Sequence, residues 1–301
     1  MKRTVFTLTL LLFFFGTATL VAAPDFTQAD LLQDQEEYAR CETELMRLKE
    51  LATTDAEHAE VLWRLARLQV SIGDELPDGD KDGKYREYEK GEAYALASIE
   101  KHPNALAYLW KASNSGRWGQ TKGPLNALGK AKGMVEDLTM VVNEFNTLDS
   151  TETWYVLSSL YDELPGGIIS FGNSVWAVSY MRKAMETLHM HLLYPGHYKK
   201  FAQELYSRNW SASKRTKEFR KMEGDWNKQS TNVEKYRYYE GKDGGAVKPF
   251  YSSVPLTKMS DRQEAQMVLA YVRAKFKVFR NLQPSDAQEM AEIEKLYNEW
   301  T

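Results

Sequence analysis

Between residues 78 and 89 the chain reads Asp78-Gly79-Asp80-Lys81-Asp82-Gly83, with Glu89 closing the interval. Carboxylates at the first, third, fifth and twelfth positions of a loop, with glycine at the sixth, converge on one calcium ion because the loop winds around it. Lys84 would lend its backbone carbonyl and Glu89 both carboxylate oxygens. The candidate metal set is therefore Asp78, Asp80, Asp82, Lys84 and Glu89, and calcium is the one cofactor the residues suggest. Gly73 and Pro77 interrupt the helix leading in, and Tyr85 stands where an aliphatic residue is usual. Segments rich in Asp and Gly also form plain solvated turns, so both readings stay open.

A second set of residues could bind rather than ligate. When Leu62, Leu109 and Trp154 are aligned as equivalent repeat positions, Trp63, Trp110 and Tyr155 fall in one aromatic column on the face that first helices turn inward. Glu60, Arg67, Asn114, Arg117, Glu152, Ser159 and Asp162 fall beside them. Aromatic platforms with a few polar groups suit a ligand or partner groove. The same residues equally suit packing against helices that fold back from the C-terminus.

Other candidates carry less. His189 and His191, if helical, point about 200° apart and cannot share a metal, although His197 could approach one of them across Pro195-Gly196. Lys199-Lys200 and the run from Lys214 to Lys221, with Trp210 and Phe219 interleaved, could meet an anionic surface. Glu218 and Glu223 make a solvated helix face the simpler reading. No phosphate loop, nucleophile elbow or paired catalytic motif appears, and the expectation is a protein that is not an enzyme.

The elements that must position these residues are helices. Trp154-x2-Leu157-Ser158-x2-Tyr161, followed by Ala177-x3-Met181-x2-Ala184, has the spacing of a tetratricopeptide repeat, in which large residues of one helix fill small-residue gaps on the next. Earlier units show the same slots. The first holds Ala29, Leu32, Tyr38, Cys41 and Leu45. The second holds Leu62, Leu65 and Ala66, with Gly73 at the turn, then Gly91, Ala95 and Ser98. The third holds Leu109, Ala112 and Ser113, with its second helix from Pro124 to about Phe145. An eroded fifth unit runs from His197 to about Trp226. Two inserts, Asp74–Gly83 and Pro165–Ser174, separate paired helices. Ser260-Asp261 should cap a helix reaching about Leu282, and Pro284 should start the last one. The fold class expected is all-α: a tetratricopeptide-like helical-repeat solenoid with inserted loops and a C-terminal helical cap.

Met1-Lys2-Arg3, the apolar stretch from Val5 to Phe15 and the small residues before Pro24 read as an export signal cleaved after Ala22. No lipid-accepting Cys follows it, and no transmembrane span is expected after cleavage. The organisation expected is a signal peptide over 1–22, repeats over 23–240, a loop over 241–260 and capping helices over 261–301, in a periplasmic or secreted bacterial protein. A formal net charge of −3 argues against nucleic acid as a partner. Cys41 is the single cysteine, so no intramolecular disulfide forms, and its slot is one where helices touch.

Leu109-Trp110-Lys111-Ala112, Gly116-Arg117-Trp118-Gly119, and Leu164-Pro165-Gly166-Gly167 with the helix to Ala184 resemble the tetratricopeptide T-component of TRAP transporters and related exported spirochaete proteins. The resemblance spans about Tyr88 to Glu186, with weaker agreement to Asn209-Trp210. It implies an all-helical body with an accessible pore or groove, associated with a periplasmic solute-binding protein. The Asp-rich segment and the tail past Gly241 depart from that pattern, and T-components are commonly lipoproteins. The function expected is an exported scaffold holding a protein partner on its concave face. The alternative is a small-solute accessory of a TRAP-type transporter, using the same groove for an apolar or carboxylate-bearing solute, with Arg67 or Arg117 as counter-charge.

Overall fold

The structure, a computed structural model, describes residues 23–166, 172–242 and 248–301. The expected leader over 1–22, residues 167–171 of the second expected insert and residues 243–247 of the expected loop lie outside the described residues. The described chain is all-α. Its helices are α1 (Thr27–Asp34), α2 (Tyr38–Leu51), α3 (Asp55–Glu75), α4 (Lys81–Lys101), α5 (Ala105–Lys122), α6 (Pro124–Thr139), α7 (Thr151–Glu163) and α8 (Ser174–Glu186). They continue as α9 (Pro195–Arg208), α10 (Ala212–Lys228), the short α11 (Asn232–Tyr236) and α12 (Tyr239–Lys242), then α13 (Asp261–Phe276) and α14 (Asp286–Trp300).

The fourth helix pair is built as the repeat spacing requires. In the fourth pair Trp154, Leu157, Ser158 and Tyr161 of α7 are buried, as are Ala177, Met181 and Ala184 of α8. Ser158 Oγ donates to the Ala177 carbonyl at 2.8 Å, so the small residues let backbone and hydroxyl meet. Trp154 Nε1 donates to the Leu148 carbonyl at 3.1 Å, which satisfies the one polar atom of a wholly buried indole. In the second pair, a methyl group on Gly73 would sit 2.3 Å from the Tyr88 ring, and one on Gly91 would sit 2.1 Å from Asn114 Oδ1. Both glycines are contact points between helices. Gly73 therefore lies inside α3 and not at the turn expected for it.

Helix ends follow local chemistry. Thr54 and Glu57 form a reciprocal cap at the start of α3, and Ser260 and Gln263 do the same at α13. Asn104, Ser150 and Asn173 cap α5, α7 and α8 through their side-chain oxygens. After α6 the chain continues as a π-helical stretch over Met140–Glu144. There Asn143 Oδ1 accepts from the Val233 backbone N–H at 3.0 Å, tying this segment to α11. The helix expected to reach Leu282 stops at Phe276, and the last begins at Asp286, two residues after Pro284.

The C-terminus returns to the beginning. Helices α13 and α14 both pack on α9. Just before α14, Gln283 Nε2 donates to the Asp34 carbonyl at 2.9 Å and the Ser285 backbone N–H donates to Glu36 Oε2 at 2.9 Å. Glu36 has φ 59°, a left-handed conformation costly for a residue with a Cβ, so a partner from the far end of the chain holds this turn.

Candidate functional site

First helices line one face. Helix α3 packs on α5 and α5 on α7, and between them, roofed by α6 and α9, is a cavity of about 470 Å³. Helix α7 supplies Glu152, Tyr155, Ser159 and Glu163, which share a stripe because three or four residues advance a helix by one turn. Helix α5 supplies Trp110, Gly116 and Arg117, α6 supplies Ala131 and Met134, and α9 supplies His197. The walls are mostly apolar.

Of the ten residues expected to form the groove, Trp110, Arg117, Glu152, Tyr155 and Ser159 line this cavity. The other five do not. Trp63 is only 5% exposed; its Nε1 donates to Glu60 Oε2 at 3.0 Å and the Arg64 guanidinium lies 4.1 Å above its ring. Arg67 is taken by Asp30 of α1 at 2.7 Å. The cause is α1, which lies over α3 and covers that end of the aromatic column. Asn114 is fully buried and donates to the carbonyls of Ala66, at 3.0 Å, and Trp110, at 2.7 Å. It fastens α5 to α3. Asp162 pairs with Lys200 at 3.2 Å.

Two polar atoms in the cavity wall are buried and have no hydrogen-bond partner: Trp110 Nε1 and His197 Nε2. The His197 ring sits 4.4 Å from that of Tyr155 and 5.1 Å from that of Tyr194. Burial pushes its pKa down to about 3, so the imidazole is neutral at physiological pH. Arg117 is already engaged, with Asp74 at 2.9 Å and Gln120 at 3.0 Å. Glu163 accepts two hydrogen bonds from Gln120 at 2.8 Å. His197, Glu163 and Met134 were not legible as cavity residues, since nothing in their local spacing marks them.

The calcium loop is not formed. Helix α4 begins at Lys81, and Asp80 is its N-cap, accepting from the Gly83 backbone N–H at 2.9 Å. Asp82, Lys84 and Glu89 are thereby helical, and a helix cannot wind around an ion. Lys84 Nζ meets Asp78 at 3.1 Å through its ammonium, and Glu89 accepts from Trp118 Nε1 at 3.0 Å. The alternating carboxylates are a helix start, where Asp80 answers an otherwise unpaired N–H. The expected insert shrinks to residues 76–80. His189 and His191 follow the end of α8 in a turn, with ring centroids 5.8 Å apart, while His197 is buried elsewhere. Among the described residues no group of three or more His, Cys, Asp or Glu is placed to hold a metal ion. Cys41 is fully buried, and burial pushes its thiol up to about 11, so it is a packing residue.

The basic run of α10 divides. Lys221 pairs with Glu218 at 3.0 Å on the outside. Arg215, assigned by its neighbours to the same solvated face, is instead wholly buried. It belongs to a closed cluster of three guanidiniums and three carboxylates. Arg182 reaches Glu240 at 2.6 Å and Glu264 at 2.8 Å; Arg208 reaches Asp261 at 2.8 Å and also Glu240; Arg215 bridges Asp261 and Glu264. The Tyr251 hydroxyl joins at Arg182, 3.0 Å away. Burial opposes ionisation of Glu264, but Arg182 and Arg215 outweigh it and hold its carboxyl well below the usual range.

Fold and cavity together define an all-α helical-repeat protein with a largely apolar chamber on the face formed by its first helices. A family model described as Regulator of microtubule dynamics protein 1-3 matches residues 25–157, from the start of the first repeat into α7. No curated protein matches the chain. Among the described residues no helix is long and apolar enough to cross a membrane.

Proposed function

We propose that this chain is an exported, non-catalytic helical-repeat protein that holds a small, mostly apolar molecule in the cavity between α5 and α7. The observation that carries this reading is the cavity itself. Its volume, about 470 Å³, falls in the range of small-molecule sites, and its lining is mostly apolar. The engagement of Trp63 and Arg67 by α1 weighs against a long open groove for a protein chain. Export rests on the basic and apolar pattern of the first residues. The TRAP-type accessory reading is the corresponding proposal for where such a molecule would be passed on.

One observation favours a second reading. The matching family is described as regulating microtubule dynamics, which implies a protein partner, and the match covers the α3 and α5 walls of the cavity. In that case the chamber would receive a side chain of the partner. Native mass spectrometry of gently purified protein separates the two. A small bound mass that disappears in Ser159→Phe, which intrudes into the chamber, supports the solute. A stoichiometric protein partner that survives Ser159→Phe, with no small mass in the wild type, would overturn it.

A further inference from the structure

The cavity's charge selects among solutes, an inference that rests on the ligand reading above. Its charged wall groups are Arg117, Glu152 and Glu163, and His197 is neutral. Arg117 is neutralised by Asp74, and Glu163 is held by Gln120 with Lys200 at 4.0 Å. Glu152 makes no hydrogen bond or ion pair. It stands in the first turn of α7. Tyr155 follows it by one turn on the same wall, and Trp110 faces the same space from α5. The result is a carboxylate without a counter-ion beside two aromatic rings in an apolar chamber. An anion entering here would find Arg117 already paired and would meet Glu152. A cation would gain both the carboxylate and the ring faces.

We infer that the cavity binds a cationic apolar molecule, an ammonium group on a hydrophobic body, with Glu152 as its counter-charge and Trp110 and Tyr155 as its aromatic walls. This turns away from a carboxylate-bearing solute, because Arg67 and Arg117, the counter-charges offered for one, are both occupied within the fold.

Three probes of equal chain length test the inference by titration calorimetry at pH 7.5: octyltrimethylammonium, octanoate and octanol. The expected result is binding of octyltrimethylammonium at least about tenfold tighter than octanoate, with octanol between them. Glu152→Gln should abolish the preference, and its circular dichroism spectrum and melting temperature check that the variant is folded. Octanoate binding as tightly as the ammonium would overturn the charge assignment and leave the cavity reading standing. A preference that persists in Glu152→Gln would remove Glu152 from its role. If none of the three binds, the cavity reading itself fails.

Discussion

From α1 to α5 the interior is largely apolar. Leu45, Leu65 and Leu68 are sealed, Gln69 and Asn114 are polar exceptions, and ion pairs such as Lys101–Asp55 and Lys90–Glu42 lie on the outside. From α8 to α13 the interior holds Arg182, Arg208, Arg215, Glu240, Asp261 and Glu264, and the carboxylates have no exposure at all. The first region is joined by shape. In the second, charge decides which helices meet. A buried ion pair gives little net stability over an apolar core, because desolvation offsets most of the attraction, but leaving one member unpaired is severe. The cluster therefore ties α13 to α8, α9, α10 and α12 in one arrangement, since any other pairing would strand a charge. The cavity lies toward the apolar region, and the match to the microtubule-regulator family ends at residue 157, before the first cluster residue.

Breaking the charge balance should have the largest effect. Glu264→Gln leaves Arg182 and Arg215 short of a partner and should cost about 3–5 kcal/mol in a denaturant melt. Lys101→Met, which removes an exposed pair from the other region, should leave the midpoint unchanged. Equal losses from the two would mean that the contrast between regions is not energetic.

Acid should separate the regions in the same order. Burial disfavours the charged forms of Asp261 and Glu264, yet the arginines hold both pKa values below their unfolded ones. Such groups contribute stability that is present above about pH 4 and lost as pH falls toward their folded values. Hydrogen exchange followed from pH 6 to pH 3 should therefore show α13 opening before α3. Simultaneous opening would show that the helices behave as one cooperative unit.

Glu204 should give a smaller effect of opposite sign. Burial raises its carboxyl to about 7, against the attraction of Lys200. A raised folded pKa contributes stability below the unfolded value near 4.5 that is lost as pH rises through about 7. Glu204→Gln keeps a polar partner beside Ser158 and should flatten the melting temperature between pH 5 and pH 8; an unchanged slope would exclude Glu204 as its source. The smallest effect is expected at Asp80. Asp80→Ala should cost about 1 kcal/mol, the value of a helix cap, equally with calcium and with chelator. A cost seen only with calcium would restore the ion-binding reading of residues 78–89.

The sequence by itself determined the repeats. Trp154, Leu157, Ala177 and Ala184 pack within one helix pair, so spacing along the chain states their contacts directly. It also determined the cap at Ser260, because a cap and the N–H it answers are only a few residues apart. Half of the expected groove was legible for the same reason: Trp110, Arg117, Glu152, Tyr155 and Ser159 follow the repeat register. Tertiary structure alone decided the rest. Whether Trp63 and Arg67 face a ligand depended on where α1 lies, and the fate of Arg215 depended on residues 41 to 49 positions away. The Asp-rich segment fitted two local structures equally well, and packing of α4 against α3 and α5 favoured the helix. Spacing fixes which side of a helix a residue occupies, but only the assembled fold fixes what that side meets.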